Sequence, residues 1–202
     1  MFARIIRFLL LGLVIIPVYS RAQDLSFDDI KISWKDFKQR DDLPVRYFDT
    51  KINTKTFYTT QSRYENGEIT LTVNLEIHMD KDNSWVKKQF MKSSDPEVKT
   101  RLLNHEKLHM IISLIHFREL YQNLSRTEFT NQYKSQLDSF IRIYNESTDR
   151  LNNQYDEETN HMKIQDKQEE WEKNILARFN KVYADDKRIV TEYRIQVKIN
   201  SR

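Results

Sequence analysis

Two periods divide the chain. Between Asp29 and Trp85 apolar residues recur at every second position: Ile30, Ile32 and Trp34 alternate with polar neighbours, and Ile69, Leu71, Val73, Leu75 and Ile77 do so over a longer run. This alternation predicts strands with one face on a core. A Thr- and aromatic-rich run between Lys51 and Arg63 predicts a further strand, joined to the Ile69 strand through Glu65-Asn66-Gly67. Asn-Gly is the strongest short hairpin signal, because both central residues of the tight turn need positive φ.

After Trp85 the period becomes helical. Ser94-Asp95-Pro96 marks a helix start, and the pattern then runs without a breaker to about Asn123. A second helix is expected from about Arg126 through the 140s and a third from about Lys163 to Tyr183. The segment from Asn145 to His161 is rich in Asn, Ser, Thr and Asp, which argues against continuous helix there. Ile189, Thr191, Tyr193, Ile195, Val197 and Ile199 alternate again and predict a closing strand. The expected fold class is α+β: an N-terminal antiparallel sheet with a hairpin, a helical core, and a C-terminal strand returning to the sheet.

Composition narrows the chemistry. The chain has no cysteine, which removes thiolate metal sites, thiol nucleophiles and disulfides. Its two glycines, Gly12 and Gly67, leave no room for a phosphate-binding glycine loop, so nucleotide chemistry of the common kinds is not expected. The formal charge of +3 arises from Arg4, Arg7 and Arg21, and without those three the remaining 180 residues carry 30 basic and 30 acidic side chains. A nucleic-acid binder would want a surplus. Arg4 and Arg7 precede an apolar run of 11 residues, Phe8 to Val18, and Ser20-Arg21-Ala22 fits a small-x-small cleavage site. Residues 1–22 therefore read as a signal peptide and 23–202 as a single exported domain, periplasmic or secreted, with a membrane contact only if the segment stays uncleaved as an anchor.

The first helix contains Asn104-His105-Glu106-Lys107-Leu108-His109, an H-E-x-x-H motif. Residues four apart share a helix face, so the His105 and His109 imidazoles can approach one ion, for which zinc is suited. Glu106 is placed to act on a water at that ion as general base. Leu102, Leu108, Met110, Ile111, Ile112, Leu114, Ile115 and Phe117 make the helix apolar over most of its circumference, so it is expected to be buried. Two imidazoles and a carboxylate buried without partners cost several kcal/mol, roughly, which a metal would offset. A solvated or partner-satisfied histidine pair is the plain alternative.

A catalytic site needs a third protein ligand and a fourth, open position. His161 is the first candidate, and Asp156, Glu157 and Glu146 are alternatives. If the first two helices turn near Ser125, residues 141 to 145 lie level with the histidine pair, which favours Glu146 over His161. A break in the polar Asn145 to Asn153 stretch would favour His161. His116 lies about 10 Å from His109 along the axis, too far to share the ion, and reads as a core or supporting residue. His78 falls on the polar face of its strand and reads as solvated. Trp34, Trp85 and Trp171 read as packing residues.

These motifs together resemble a bacterial family, domain of unknown function 922 (DUF922), described as predicted secreted zinc-dependent proteases. The resemblance rests on Trp34 and Phe37, Trp85, Leu103 with His105, Glu106 and His109, Tyr155-Asp156-x-x-Thr159-x-His161, and then Gln168 and Trp171. It implies a zincin-like metallopeptidase in which His105 and His109 bind zinc, Glu106 is the base, and His161 or Asp156 completes the site. The chain departs from the family pattern at Met110, where an aromatic often follows the second histidine, and at Met162, where a glycine often follows the later one. The expected activity is hydrolysis of a peptide-like bond in a peptide or protein, a cell-envelope substrate among the candidates, with no nucleic acid or nucleotide as partner. A noncatalytic envelope protein with a structural or vestigial metal site is the alternative.

Overall fold

The computed structural model describes residues 24–42, 48–186 and 188–199. The export segment expected at residues 1–22 lies outside the described residues. Among the described residues six strands and four α-helices follow in the order β1 (Lys38–Arg40), β2 (Thr50–Lys51), β3 (Thr54–Glu65), β4 (Glu68–Met79), β5 (Trp85–Lys87), α1 (Lys88–Ser93), α2 (Pro96–Arg126), α3 (Tyr133–Thr159), α4 (Gln165–Val182) and β6 (Glu192–Ile199). The class is α+β, as expected.

The strands form two sheets. The larger is antiparallel throughout in the order β3-β4-β6, with Glu65 paired to Glu68 across the hairpin turn. Asn66 and Gly67 both take positive φ, at 51° and 83°, the conformation that Asn-Gly supplies most readily. The C-terminal strand returns as the alternation predicts, pairing Ile195 with Val73 and Val197 with Leu71. Leu71, Val73, Leu75 and Ile77 turn inward and are fully or almost fully buried, on the side where α2 packs. The smaller sheet has β5 between a parallel β1 and an antiparallel β2.

Ile30, Ile32 and Trp34 are not in a strand. Phe27–Asp29 and Trp34–Asp36 are single 3₁₀ turns, each closed by a Ser-x-x-Asp box in which the serine N–H donates to the aspartate, Ser26 to Asp29 at 2.7 Å and Ser33 to Asp36 at 2.9 Å. The short polar side chains give the backbone local partners that compete with a ladder, so the alternation there comes from two successive turns.

The second helix also differs from expectation. α3 is continuous to Thr159, through the whole polar segment. Its buried residues are Leu137, Tyr144, Thr148, Tyr155 and Thr159, spaced by seven and four, so a narrow stripe faces the core and the Asn, Ser and Asp residues form the outer face. α2 is the hub: Leu108, Ile111, Ile112, Ile115 and Phe117 are buried on it, with the larger sheet on one side and α3 and α4 on the other. Among the described residues no helix is long and apolar enough to cross a membrane.

The chain steps from the smaller sheet into the larger at Ile52-Asn53. That step is held by Asn53, whose N–H donates to Ser84 Oγ at 2.9 Å and whose carbonyl accepts the Asp80 N–H at 2.7 Å. Asp80 in turn takes the Asn83 amide and the Lys55 ammonium, which hold its carboxyl at about 2, below the ordinary value. The step thus has a fixed position above the middle of α2, where the candidate site lies.

Candidate metal centre

α2 presents His105, Glu106 and His109 on its buried side, with 1%, 3% and 9% of their surface exposed. The remaining donors come from the end of α3 opposite. Asp156 Oδ1 lies 3.1 Å from His105 Nε2, 3.0 Å from His109 Nε2 and 3.2 Å from His161 Nδ1, so three imidazole nitrogens converge on one carboxylate oxygen. Donor atoms of His105, Asp156 and His161 all fall within 4.8 Å of one another, a group that can hold a metal ion. His109 Nε2 meets the same Asp156 oxygen but lies outside that group of three.

His161 reaches the group although α3 does not break before it. The helix ends at Thr159 with Asn160 as its cap, and Asn160, His161 and Met162 all take left-handed backbone conformations, with φ of 45°, 50° and 66°. The His161 N–H returns to the Asp156 carbonyl at 3.0 Å, and the ring folds back over the last turn. Three consecutive residues other than glycine in this region store strain, which is characteristic of functional sites. The third of them is Met162, at the position where the family pattern often has glycine.

The outer nitrogens of the helix pair are held by amides. His105 Nδ1 lies 3.1 Å from Gln168 Oε1 on α4, and His109 Nδ1 lies 2.9 Å from Asn152 Oδ1 on α3. Gln168 Nε2 donates to the Glu172 carboxylate at 2.9 Å, which fixes its amide with Oε1 toward His105. His105 Nδ1 therefore carries the proton, and in the neutral ring the Nε2 lone pair faces Asp156. Tyr155 stacks on His105 with ring centroids 4.5 Å apart and closes the inner wall.

This donor set fits a divalent cation. Lone pairs of imidazole and carboxylate facing at 3.0–3.2 Å repel unless a proton or a cation lies between them. With its proton on Nδ1, a neutral His105 offers Asp156 only a lone pair, and a dication shared by His105, Asp156 and His161 would relieve that contact. Two ligands about 2.1 Å from one ion stand roughly 3.4 Å apart at the tetrahedral angle, close to the observed spacing.

The ionisable groups respond to each other and to burial. Burial pushes Glu106 above its ordinary value, against the pull of His109, His105 and the Ile52 N–H. Burial works the same way on Asp156, but His105 and His109 outweigh it and hold the carboxyl well below the usual range. For His109 burial acts downward and the Asp156 and Glu106 carboxylates overcome it, leaving the imidazole raised. His161 is lowered, mainly by burial.

The site opens into a cleft of about 1040 Å³. Its walls are α2, the end of α3 with the turn after it, and the step from β2 to β3, and Glu106 Oε2 accepts the Ile52 N–H of that step at 2.7 Å. Phe48 lies over the outer face of His161, ring centroids 3.6 Å apart.

Thus His105, Glu106, His109 and His161, expected from the sequence, come together, and Asp156 joins them. Glu146 does not: its exposed carboxylate pairs with Arg142 at 3.3 Å. The chain turns between Arg126 and Tyr133 rather than near Ser125, which brings Asn152 and Asp156, not residues 141 to 145, level with the histidine pair. Glu157 is exposed on the outer side of α3. His116 is buried and bonded to Thr148, and His78 is half exposed, so both stand apart as expected. Asn152, Phe48 and the Ile52 N–H are not expected from the sequence, although Asn152 precedes Asp156 by the same four residues that separate the two histidines.

A family model described as "Bacterial protein of unknown function (DUF922)" matches residues 25–162, a span that ends just past His161 and includes all four donors. No curated protein and no solved structure matches the chain.

Proposed function

We propose that this chain, which belongs to the bacterial family DUF922, is an exported zinc-dependent hydrolase of peptide-like bonds. The reading rests on one observation: three imidazole nitrogens meet one Asp156 oxygen beside the buried Glu106 carboxylate, at the base of an open cleft. Imidazole and carboxylate donors without a thiolate suit zinc.

When bound, zinc supplies a water of pKa near 7 and a polarised carbonyl, roughly as in other catalytic zinc sites. Glu106 takes the water proton and returns it to the leaving amine. Its Oε2 is held by the Ile52 N–H, which leaves the other oxygen for proton transfer and fixes the plane of the carboxylate. Gln168 and Asn152 orient His105 and His109 from behind. The signal-like N-terminus supports an action outside the cytoplasm, where cell-envelope peptides would be the substrates at hand. A neutral body and the lack of a glycine loop set nucleic acids and nucleotides aside.

The convergence of four donors also supports a second reading, a structural site closed by protein ligands. Exposure favours the first: the Asp156 and His161 side chains are 28% and 26% exposed, against 2% and 11% for His105 and His109, so one of the outer pair can yield a position to water. Cobalt-substituted protein separates the two readings. Azide will shift the visible spectrum of an open site and leave a closed one unchanged. Zinc-loaded protein screened on peptides and cell-wall fragments then tests hydrolysis, and turnover unaffected by chelation would remove the metal from the reaction.

A further inference from the structure

The cleft has a charge direction. Because His105 faces Asp156 and His109 faces Asn152, α2 and α3 run antiparallel along its two sides. The β2 to β3 step runs along α2 in the same sense as that helix, with Ile52 at Glu106 and Thr54 Oγ1 at Ser113 Oγ, 3.2 Å. One end of the cleft therefore holds Leu102, Lys51 and the turn carrying Lys163, and the other holds Ser113 and Asp149.

The charges at the two ends differ in sign. Lys51 and Lys163 are exposed, line the cleft, and have no ion-pair partner among the described residues. Arg40 and Asp49 at the same end are matched by Asp42 and Lys87. At the far end Asp149 is exposed and unpaired among the described residues. In the centre the Glu106 and Asp156 carboxylates match the charge of a divalent ion, so the lysines set the sign of the potential at their end.

We propose that the cleft selects peptides carrying a carboxylate, from an acidic side chain or a free C-terminus, on the Lys51 and Lys163 side of the scissile bond. The inference rests on reading the site as a peptide hydrolase. Lys51 adjoins Ile52, about 3.3 Å along the strand, and Leu102 is about 5 Å from His105 along α2, so the anion falls within about two residues of the cleaved bond.

The test is equilibrium binding to zinc-loaded Glu106→Gln protein, in which labelled peptides can be held without cleavage. Matched peptides with Glu or Gln at each position around the central bond, with free or amidated C-termini, separate the two carboxylate sources. An acidic peptide is expected to bind about fivefold more tightly than its neutral match at low salt, with the ratio falling toward one in Lys51→Gln/Lys163→Gln and persisting in the control Lys173→Gln. Equal binding of acidic and neutral peptides, or a ratio unchanged in the double variant, overturns the proposal. An acidic preference without cleavage of any peptide by the wild type would leave the recognition standing and overturn the hydrolase reading alone.

Discussion

Glu106 accepts the backbone N–H of Ile52 at 2.7 Å, which ties the middle of α2 to the point where the chain crosses from one sheet to the other. One oxygen of the proposed base is thus part of the fold. Glu106→Gln keeps an acceptor for that N–H and removes the basic oxygen, so it is expected to retain zinc and fold while losing hydrolysis by about 10²–10⁴-fold. Glu106→Ala leaves the buried N–H without a partner and should be less stable than the Gln variant by about 1–3 kcal/mol. Urea unfolding of the two zinc-loaded variants checks this, and equal turnover by Glu106→Gln and wild type would remove Glu106 from the mechanism.

Gln168 carries a similar expectation for the metal. Its amide is fixed by Glu172 and orients His105, so Gln168→Ala should weaken zinc binding by about 10–100-fold. Asn152→Ala should act likewise through His109. Competition with a chromophoric chelator measures both, and unchanged affinity would mean that the imidazoles need no support from behind.

Met162 sits at φ 66°, where L residues are strained. Glycine is ordinarily less stabilising than alanine, and here the order should reverse: Met162→Gly is expected to exceed Met162→Ala in stability by about 1 kcal/mol. Both variants lose the same thioether contacts, so the comparison isolates the backbone. Thermal unfolding of the pair decides it, and the ordinary order would show that the turn relaxes.

His116 gives a pH dependence away from the metal site. Burial pushes its pKa below the ordinary value, with Arg178 on α4 and Arg150 on α3 adding to that and Glu119 on α2 opposing. Thr148 donates its hydroxyl to the Tyr144 carbonyl at 2.8 Å, so it accepts from a neutral His116 Nδ1–H at 3.0 Å. As pH falls through about 6.5 the unfolded chain takes up a proton that the folded one refuses, and stability drops until the folded pKa is reached. His116→Gln should lose less stability than wild type between pH 7.5 and 5.5 in urea unfolding of chelated protein. An identical loss would assign the acid sensitivity elsewhere.

The parts of this structure legible in the sequence are those set by short-range period. The Asn66-Gly67 turn fixes the β3–β4 register, the inward alternation of Leu71 to Ile77 fixes its buried face, and the four-residue spacing of His105 and His109 fixes their common side. What failed depended on where a helix ends. Phe129 is fully buried in the turn between α2 and α3 and continues the apolar pattern of the helices, so the turn position is hidden. That displacement of a few residues decided between Glu146 and Asp156. The left-handed run at Asn160-His161-Met162 has no glycine to announce it, which is why helix geometry by itself admitted His161 to the site only through a broken helix, while the family resemblance pointed to it directly.

Which of the outer donors the ion needs is answered by comparing Asp156→Ala with His161→Ala. Asp156 Oδ1 is the atom on which all three imidazoles converge, and its removal leaves three nitrogens to hold the ion without the central charge. His161 contributes one nitrogen from a strained turn, about a quarter exposed beneath Phe48. Loss of Asp156 should therefore weaken zinc by more than loss of His161, with His161→Ala nearer the 10–100-fold range of a supporting residue. If water enters where His161 leaves, azide should bind more tightly to cobalt-substituted His161→Ala than to wild type. A larger affinity loss for His161→Ala than for Asp156→Ala would instead make the three histidines the permanent ligands and Asp156 the group that yields.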